Sequence, residues 1–179
     1  MAATRVFTRM RADHRRVLGE MRALVSAAAR LGGRARTRGA DLATLRRLVR
    51  MLGRQFATHM AAEDEVLFPA LRRAIPGAAP SLAPLGDEHE ELRAMLGSLA
   101  ERLASSADAA RDQELPAQAR DFADLLRIHI RKEEALVFRV AERVLRPDEL
   151  ARLAERRSPV TPPARSRGAA ARVGKGSTR

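Results

Sequence analysis

The chain contains no cysteine, tryptophan or tyrosine among its 179 residues. The absence of cysteine excludes disulfide bonds, a thiol nucleophile and thiolate metal ligands, so imidazole nitrogens and carboxylate oxygens would have to hold any metal ion. The absence of tyrosine and tryptophan excludes a tyrosyl radical and a tryptophan relay. A site in this protein therefore takes its chemistry from other side chains, with histidine and the carboxylates as the first candidates.

Long apolar runs are also missing. No segment approaches the roughly 18 to 20 apolar residues of a membrane span. Arginines within residues 1–10 interrupt the continuous apolar stretch that a secretory signal needs, so we expect a cytoplasmic protein. With 45% hydrophobic residues, the chain is long enough for one compact domain with a buried core.

Positive charge is in excess, with a formal net charge of +12, and it is most one-sided near the C-terminal end. No acidic residue follows Glu155, and residues 158–179 are rich in proline, glycine, serine and alanine. Because such a segment has little to bury, we expect a disordered basic tail after a folded domain at residues 1–157. Nucleic-acid binding is not favoured, since stacking aromatics and a binding motif are absent, but non-specific contact of the tail with polyanions stays open.

The sequence before the tail predicts helices almost throughout, since apolar residues recur at spacings of three and four. Glycine- and proline-rich separators divide it into four long helices, and Pro147 is placed to open a short fifth helix. The predicted bounds of the long helices are about Thr4–Leu31, Asp41–Ile75, Leu82–Ala104 and Pro116–Leu145. Short connections place successive helices side by side, so we expect an all-α, up-down-up-down four-helix bundle.

The chain has only four histidines, and one falls in each long helix: His14, His59, His89 and His129. Each lies on the apolar stripe of its helix, which is the side that faces a core. Residues equidistant from a hairpin loop lie side by side, and the midpoints of the first and second histidines and of the third and fourth fall inside predicted loops. The four imidazoles are therefore expected at one level of the core.

Two glutamates, Glu63 and Glu133, stand four residues after a histidine and so point to the same helix face. A buried carboxylate is costly unless a cation pairs with it, and no lysine or arginine occupies the inner stripes nearby. A single histidine on an apolar face is more often a core residue bonded to a carbonyl group. Four histidines and two glutamates at a common level instead favour a metal site.

Other residues near these positions are given simpler interpretations. The stripe of the fourth helix predicts that Leu136 and Val140 are core residues, and Phe68 and Phe138 are expected to pack in the core as well. The neighbouring acids are interpreted as solvated surface groups; they are Asp64, Glu65, Glu90, Glu91 and Glu134.

The histidine–glutamate spacing occurs twice, in "HMAAEDEVLF" and in "HIRKEEALVF". Six nitrogen and oxygen ligands are too many for one tetrahedral zinc ion and suit two metal ions bridged by carboxylates. The Glu-x-x-His motif of ferritin-type sites and the His-Glu-x-x-His motif of zincins are both absent. The order His, His-x-x-x-Glu, His, His-x-x-x-Glu resembles that of the hemerythrin-like (HHE cation-binding) family over roughly Thr4–Leu145.

The resemblance implies a non-haem di-iron centre inside the bundle. The metal ligands that it implies are His14, His59, Glu63, His89, His129 and Glu133. The first two histidines would serve one iron and the last two the other, with the glutamates and an oxo or hydroxo group as bridges. Oxygen-carrying members add a histidine one turn after that of the third helix, where this chain has Arg93, which argues against simple oxygen transport.

The function expected from this resemblance is binding of a small diatomic ligand, oxygen or nitric oxide, or a part in iron homeostasis or sensing. One alternative is an enzyme that acts on nitric oxide or peroxide at the same centre, and another is repair of damaged iron centres. The sequence does not separate binding from turnover, because turnover depends on acids around the metal and on an electron supply.

Overall fold

The computed structural model describes residues 2–31, 38–104 and 113–157. Within these ranges the chain is almost entirely helical and contains no strand, which confirms the predicted all-α class for this part. The helices are α1 Ala2–Leu31, α2 Arg38–Ala62, α3 Phe68–Ala74, α4 Ala79–Ala104, α5 Leu115–Lys132, α6 Phe138–Val144 and α7 Pro147–Arg156. The predicted disordered tail lies outside the described residues, as does most of the first and third predicted loops.

The four longest helices form a ring of contacts. Helix α1 packs on α2 and α5, and α4 packs on the same two helices. Leucines at helical spacing fill the space between them, together with a few aromatic and methionine side chains such as Met21, Phe56 and Phe122. Burial of this apolar surface is the main force that holds such a bundle together. No helix in the described part of the chain is long and apolar enough to cross a membrane.

Two of the predicted long helices contain a five-residue π-helical turn. The first turn, Glu63–Leu67, joins α2 to α3, and the second, Glu133–Val137, joins α5 to α6. At each turn the backbone N–H of the phenylalanine that follows donates to the carbonyl oxygen of the glutamate five residues earlier. A π turn absorbs one extra residue into a helix, and such turns are frequent at functional sites.

The second π turn changes which residues face the core. In an unbroken α-helix Phe138 would lie about 140° around the axis from Glu133, and absorbing one residue reduces that angle to about 40°. Phe138 is fully buried, whereas Leu136 is 65% exposed and Val140 is 38% exposed. The prediction that Leu136 and Val140 are core residues is therefore wrong, because it assumed an uninterrupted helical period; the prediction for Phe138 is confirmed.

The predicted fifth helix is confirmed as α7. Pro147 is its first residue, and the backbone N–H of Arg146 donates to Glu149 Oε2 over 3.1 Å, which satisfies a donor at the helix start. Leu150 and Leu153 are buried in a second apolar cluster at the end of the bundle that holds the π turns. Helix α7 thus covers that end, in contact with α1 and with the first π turn.

Candidate metal centre

The four histidines meet as two pairs inside the bundle. His14 Nε2 lies 2.9 Å from His59 Nε2, and His89 Nε2 lies 2.9 Å from His129 Nε2. Three of the four side chains are at most 4% exposed, while that of His59 is 15% exposed. Each pair combines histidines from two different long helices, at the level that the loop midpoints predicted.

Glu63 lies between the two pairs. Its Oε1 atom is 3.1 Å from His59 Nε2, and its Oε2 atom is 3.6 Å from His89 Nε2. The side chain is fully buried, and no hydrogen bond within the described part of the chain reaches either oxygen. A buried carboxylate without hydrogen bonds is unstable unless a cation compensates its charge.

Glu133 makes the equivalent link from the other glutamate-bearing helix. Its Oε2 atom is 3.3 Å from His14 Nε2, and its Oε1 atom is 3.3 Å from His129 Nε2. Burial alone would raise the pKa of this carboxyl, but hydrogen bonding and charge from the surrounding imidazoles hold that pKa well below its usual value. Each glutamate therefore presents one oxygen to each histidine pair, as a bridging ligand does.

Acidic side chains stand behind the imidazole rings, on the side away from the glutamates. The Nδ1 atoms of three histidines lie 2.7–2.9 Å from a carboxylate oxygen. The pairs are His14 with Glu134, His89 with Asp64 and His129 with Glu88. Carboxylates in this position commonly orient metal-binding histidines and strengthen them as ligands.

The hydrogen bonds at Nδ1 determine whether the inner nitrogen of each ring, Nε2, has a lone pair that can bind a cation. A neutral imidazole that donates from Nδ1 presents a lone pair at Nε2. His89 and His129 then point two lone pairs at each other over 2.9 Å, and that repulsion is relieved when a proton or a metal ion lies between the two nitrogens. Two nitrogens at about 2.1 Å from one metal ion and about 90° apart would be separated by about 3 Å, so the observed spacing fits a shared ion.

The electrostatics of the cluster favour positive charge. Burial alone would lower the pKa of His59. The Glu63 carboxylate and Asp13 outweigh the effect of burial and raise that pKa to about 10. Burial likewise lowers the pKa of His89, and Asp64 together with Glu133 raises it to about 9. The same carboxylates that attract protons to these imidazoles would attract a metal ion in their place.

The phenylalanines after the π turns complete the surroundings of two histidines. The ring of Phe138 stacks on His14 with centroids 5.3 Å apart, and that of Phe68 stacks on His89 at 5.5 Å. Each π turn returns its phenylalanine to the core face, so that several residues of the segment from glutamate to phenylalanine contact the same histidine. In residues 133–138, Glu133, Glu134 and Phe138 all contact His14.

A cavity of about 500 Å³ reaches the cluster from one side. It touches His14, His59, His129 and Glu133, whereas His89 is not part of its wall. Apolar side chains from three helices form much of the lining: Val17, Met51, Phe56, Met60, Leu126 and Ile130. The cavity therefore opens onto one side of the cluster, where all the histidines except His89 lie.

Comparison with known families shows to which family the chain belongs. The family model described as the hemerythrin HHE cation binding domain matches residues 5–141. The chain belongs to this family. A search of curated proteins finds no match to it. The matched range contains all six predicted ligands and ends before α7, which lies beyond the hemerythrin domain as the family model defines it.

The hemerythrin domain brings all six predicted residues together. Their donor atoms form two compact groups that share one glutamate: His14, His59, Glu63 and Glu133 in the first, and His89, His129 and Glu133 in the second. Each group contains one of the two histidine pairs. A donor set of imidazole nitrogens and carboxylate oxygens with unsatisfied buried oxygens fits metal cations of the kind this family binds.

The sequence did not reveal the role of the acidic residues that face the Nδ1 atoms of the histidines, here called the outer acids. Asp64 and Glu134 were interpreted as solvated groups, which is wrong, since each contacts the Nδ1 atom of a histidine. Asp13 and Glu88 were assigned no role. A signal was present, because all four acids are direct sequence neighbours of a predicted ligand; but each serves a histidine on a different helix, which only the packing shows.

Arg93 takes a place outside the cluster. Its guanidinium donates to Asp64 Oδ2 over 2.5 Å, and its side chain is 42% exposed. A guanidinium has no lone pair to offer a metal. At the position where oxygen carriers of the family have a further histidine, this chain therefore has a cation that fixes the acid behind His89.

Proposed function

We propose that this hemerythrin domain holds two iron ions, one at the His14 and His59 pair and one at the His89 and His129 pair. The observation that carries the proposal is the placement of the two buried glutamates, each of which directs its two oxygens to different histidine pairs. Imidazole and carboxylate ligands without sulfur suit iron. The ring of helix contacts and the common level of the histidines support the up-down-up-down bundle as part of this proposal.

Iron held in this way supplies the capacity to bind a small diatomic ligand, oxygen or nitric oxide, and this capacity would serve binding, sensing or iron homeostasis. The chain's own residues provide the surroundings. The outer acids orient the imidazoles, and the apolar side chains of the cavity limit the access of water to the pair that it reaches.

Metal analysis combined with optical spectroscopy tests the metal content. Protein purified from iron-replete cells should contain about two irons per chain, and anaerobic and air-exposed samples should differ in their absorption spectra. A well-folded preparation with one tightly bound zinc ion and no second metal would overturn the assignment.

Ligand titration tests the function separately. Two histidine nitrogens and an oxygen from each glutamate are fewer than the six ligands of an octahedral ion, so each position has room for an exogenous ligand. Nitric oxide should bind to the reduced protein and azide to the oxidised protein, each with a spectral change. Failure of both to bind would overturn the diatomic-ligand function while leaving the two-iron assignment in place.

The alternative function is an enzyme that acts on nitric oxide or peroxide at the same centre. The cavity of about 500 Å³ that reaches the cluster would give such a substrate access to it. Steady-state consumption of peroxide in the presence of a reductant, lost in Glu63→Ala, would support this reading over simple binding.

A further inference from the structure

The two metal positions are related by an approximate internal symmetry that one pair of acids breaks. On α1, Asp13 faces His59 of α2, and on α4, Glu88 faces His129 of α5. Both acids directly precede the histidine of their own helix. They therefore occupy equivalent places, each behind a histidine of the helix that follows in the bundle.

The two contacts differ in length. Glu88 Oε2 lies 2.9 Å from His129 Nδ1, within hydrogen-bonding distance. Asp13 Oδ2 lies 3.8 Å from His59 Nδ1, which is too long for a hydrogen bond, and His59 Nδ1 is buried without a hydrogen-bond partner in the described part of the chain. Aspartate is one methylene shorter than glutamate, so the shorter side chain falls short of the ring.

Asp13 is also held by another group. Its carboxylate accepts a hydrogen bond from Arg157, directly after α7, and this contact draws Asp13 toward the C-terminal end of the described chain. The cavity that reaches the cluster is lined by Asp13, Arg157 and His59. His59 is accordingly the least secured and, with 15% of its side chain exposed, the most accessible of the four histidines.

We propose that the two metal positions differ in kinetic stability: the ion at His14 and His59 exchanges with solvent, and the ion at His89 and His129 is retained. This inference rests on the proposed two-metal function and goes beyond it. A carboxylate behind a metal-binding histidine typically contributes 10- to 100-fold in metal affinity, and His59 lacks that hydrogen bond. An exchangeable position beside a retained one suits a protein that takes up or passes on one ion while its fold stays intact.

Release of iron to a coloured ferrous chelator tests the inference without measuring any activity. The reduced two-iron protein is mixed anaerobically with excess chelator, and the absorbance of the complex is followed. Wild-type protein should release iron in two phases of equal amplitude whose rates differ about 10-fold or more. A single phase that releases both ions at one rate would overturn the proposal.

A reciprocal exchange of the two acids identifies the cause. Asp13→Glu should slow the fast phase toward the slow one, because the longer side chain reaches His59, and Glu88→Asp should accelerate the slow phase. The control is Glu90→Gln, since Glu90 is exposed on α4 and should leave both rates unchanged. Circular dichroism should show wild-type helicity for each variant, and if Glu88→Asp fails to fold, Asp13→Glu still decides.

The possible failures are distinguishable. If the fast phase of Asp13→Glu equals that of wild type, the assignment to His59 is wrong although the two-iron centre stands. If wild-type protein never holds two irons under saturating conditions, the proposed function itself fails, and the kinetic inference fails with it.

Discussion

At the scale of single residues, two buried carboxylates set the chemistry of this bundle. Glu63 and Glu133 are 0% and 1% exposed, and imidazole nitrogens lie 3.1–3.8 Å from their oxygens. Removing a carboxylate from water costs several kcal/mol unless a cation compensates it. Because metal ions provide that compensation only in the folded chain, folding and metal binding should be coupled.

Replacement of Glu63 by glutamine should weaken metal binding at both positions. Glu63→Gln keeps the size of the side chain but removes the charge and one of the two oxygen ligands, so we expect about one iron or less per chain in place of two. His14→Ala removes a ligand from one position only and should be no more severe. Metal content by elemental analysis is the measurement, with exposed Glu90→Gln as control; two irons in Glu63→Gln would contradict the bridging role.

The outer acids act on metal affinity rather than on stoichiometry. Glu134→Gln weakens the hydrogen-bond acceptor behind His14 and should reduce metal affinity about 10-fold while two ions still bind at saturation. Competition against a chelator of known affinity measures this change. Glu91→Gln is a matched control, because Glu91 was also interpreted as a solvated acid and is exposed in the structure; equal affinities in the two variants would make Glu134 a surface group after all.

At the scale of the helical elements, each π turn places a candidate ligand and a phenylalanine on the same face of the helix. The turn that begins at Glu133 keeps that carboxylate inward and returns Phe138 to the same face, where it stacks on His14. In an unbroken α-helix five residues span about 500°, so Glu133 and Phe138 would lie about 140° apart around the axis. The two side chains could then not both face the core. The extra residue is taken up by the outward-facing part of the turn, where Leu136 is exposed.

Deletion of Leu136 should convert the second π turn into a regular α-helix. Phe138 would then be the fourth residue after Glu133 and would stay about 40° from it around the axis, so we expect the core to stay intact and the free energy of unfolding to remain within about 1 kcal/mol of that of Leu136→Ala. Leu136→Ala is the control, since it shortens an exposed side chain and keeps the turn. Denaturant unfolding of both variants measures the difference, and a loss of about 3–5 kcal/mol in the deletion variant, comparable to removal of a buried phenylalanine, would show that Phe138 has left the core and that the turn does not absorb the extra residue.

At the scale of the whole molecule, α7 joins the end of the bundle to the metal centre. Leu150 and Leu153 complete the second apolar cluster, and Arg157, the residue after the helix, contacts Asp13. Residues 158–179 carry no candidate ligand and no apolar periodicity. The dependence of the centre on the C-terminal part of the chain should therefore end at Arg157.

Two truncations separate these contributions. A chain that ends at Arg157 should keep its iron content and helicity and should lose only salt-sensitive binding to polyanions. A chain that ends at Arg146 exposes the cluster that α7 covers and should unfold at a lower temperature, with weaker retention of iron. Thermal unfolding and metal analysis of both truncated chains measure these effects. Loss of iron in the chain that ends at Arg157 would show that the residues after Arg157 support the core.

The sequence by itself determined the helical class and the order and spacing of six candidate ligands, because helical periodicity and loop midpoints are local properties that a pattern of residues expresses directly. Four histidines on four apolar stripes and two glutamates one turn away favour a metal site over separate core histidines. Only the tertiary structure decided the π turns and the roles of Asp13, Asp64, Glu88 and Glu134. A π turn arises from the combined demands of a ligand and a core residue, and each of these acids contacts a histidine on a different helix. Sequence proximity marks them as neighbours of the site, but packing determines which imidazole each one reaches and at what distance.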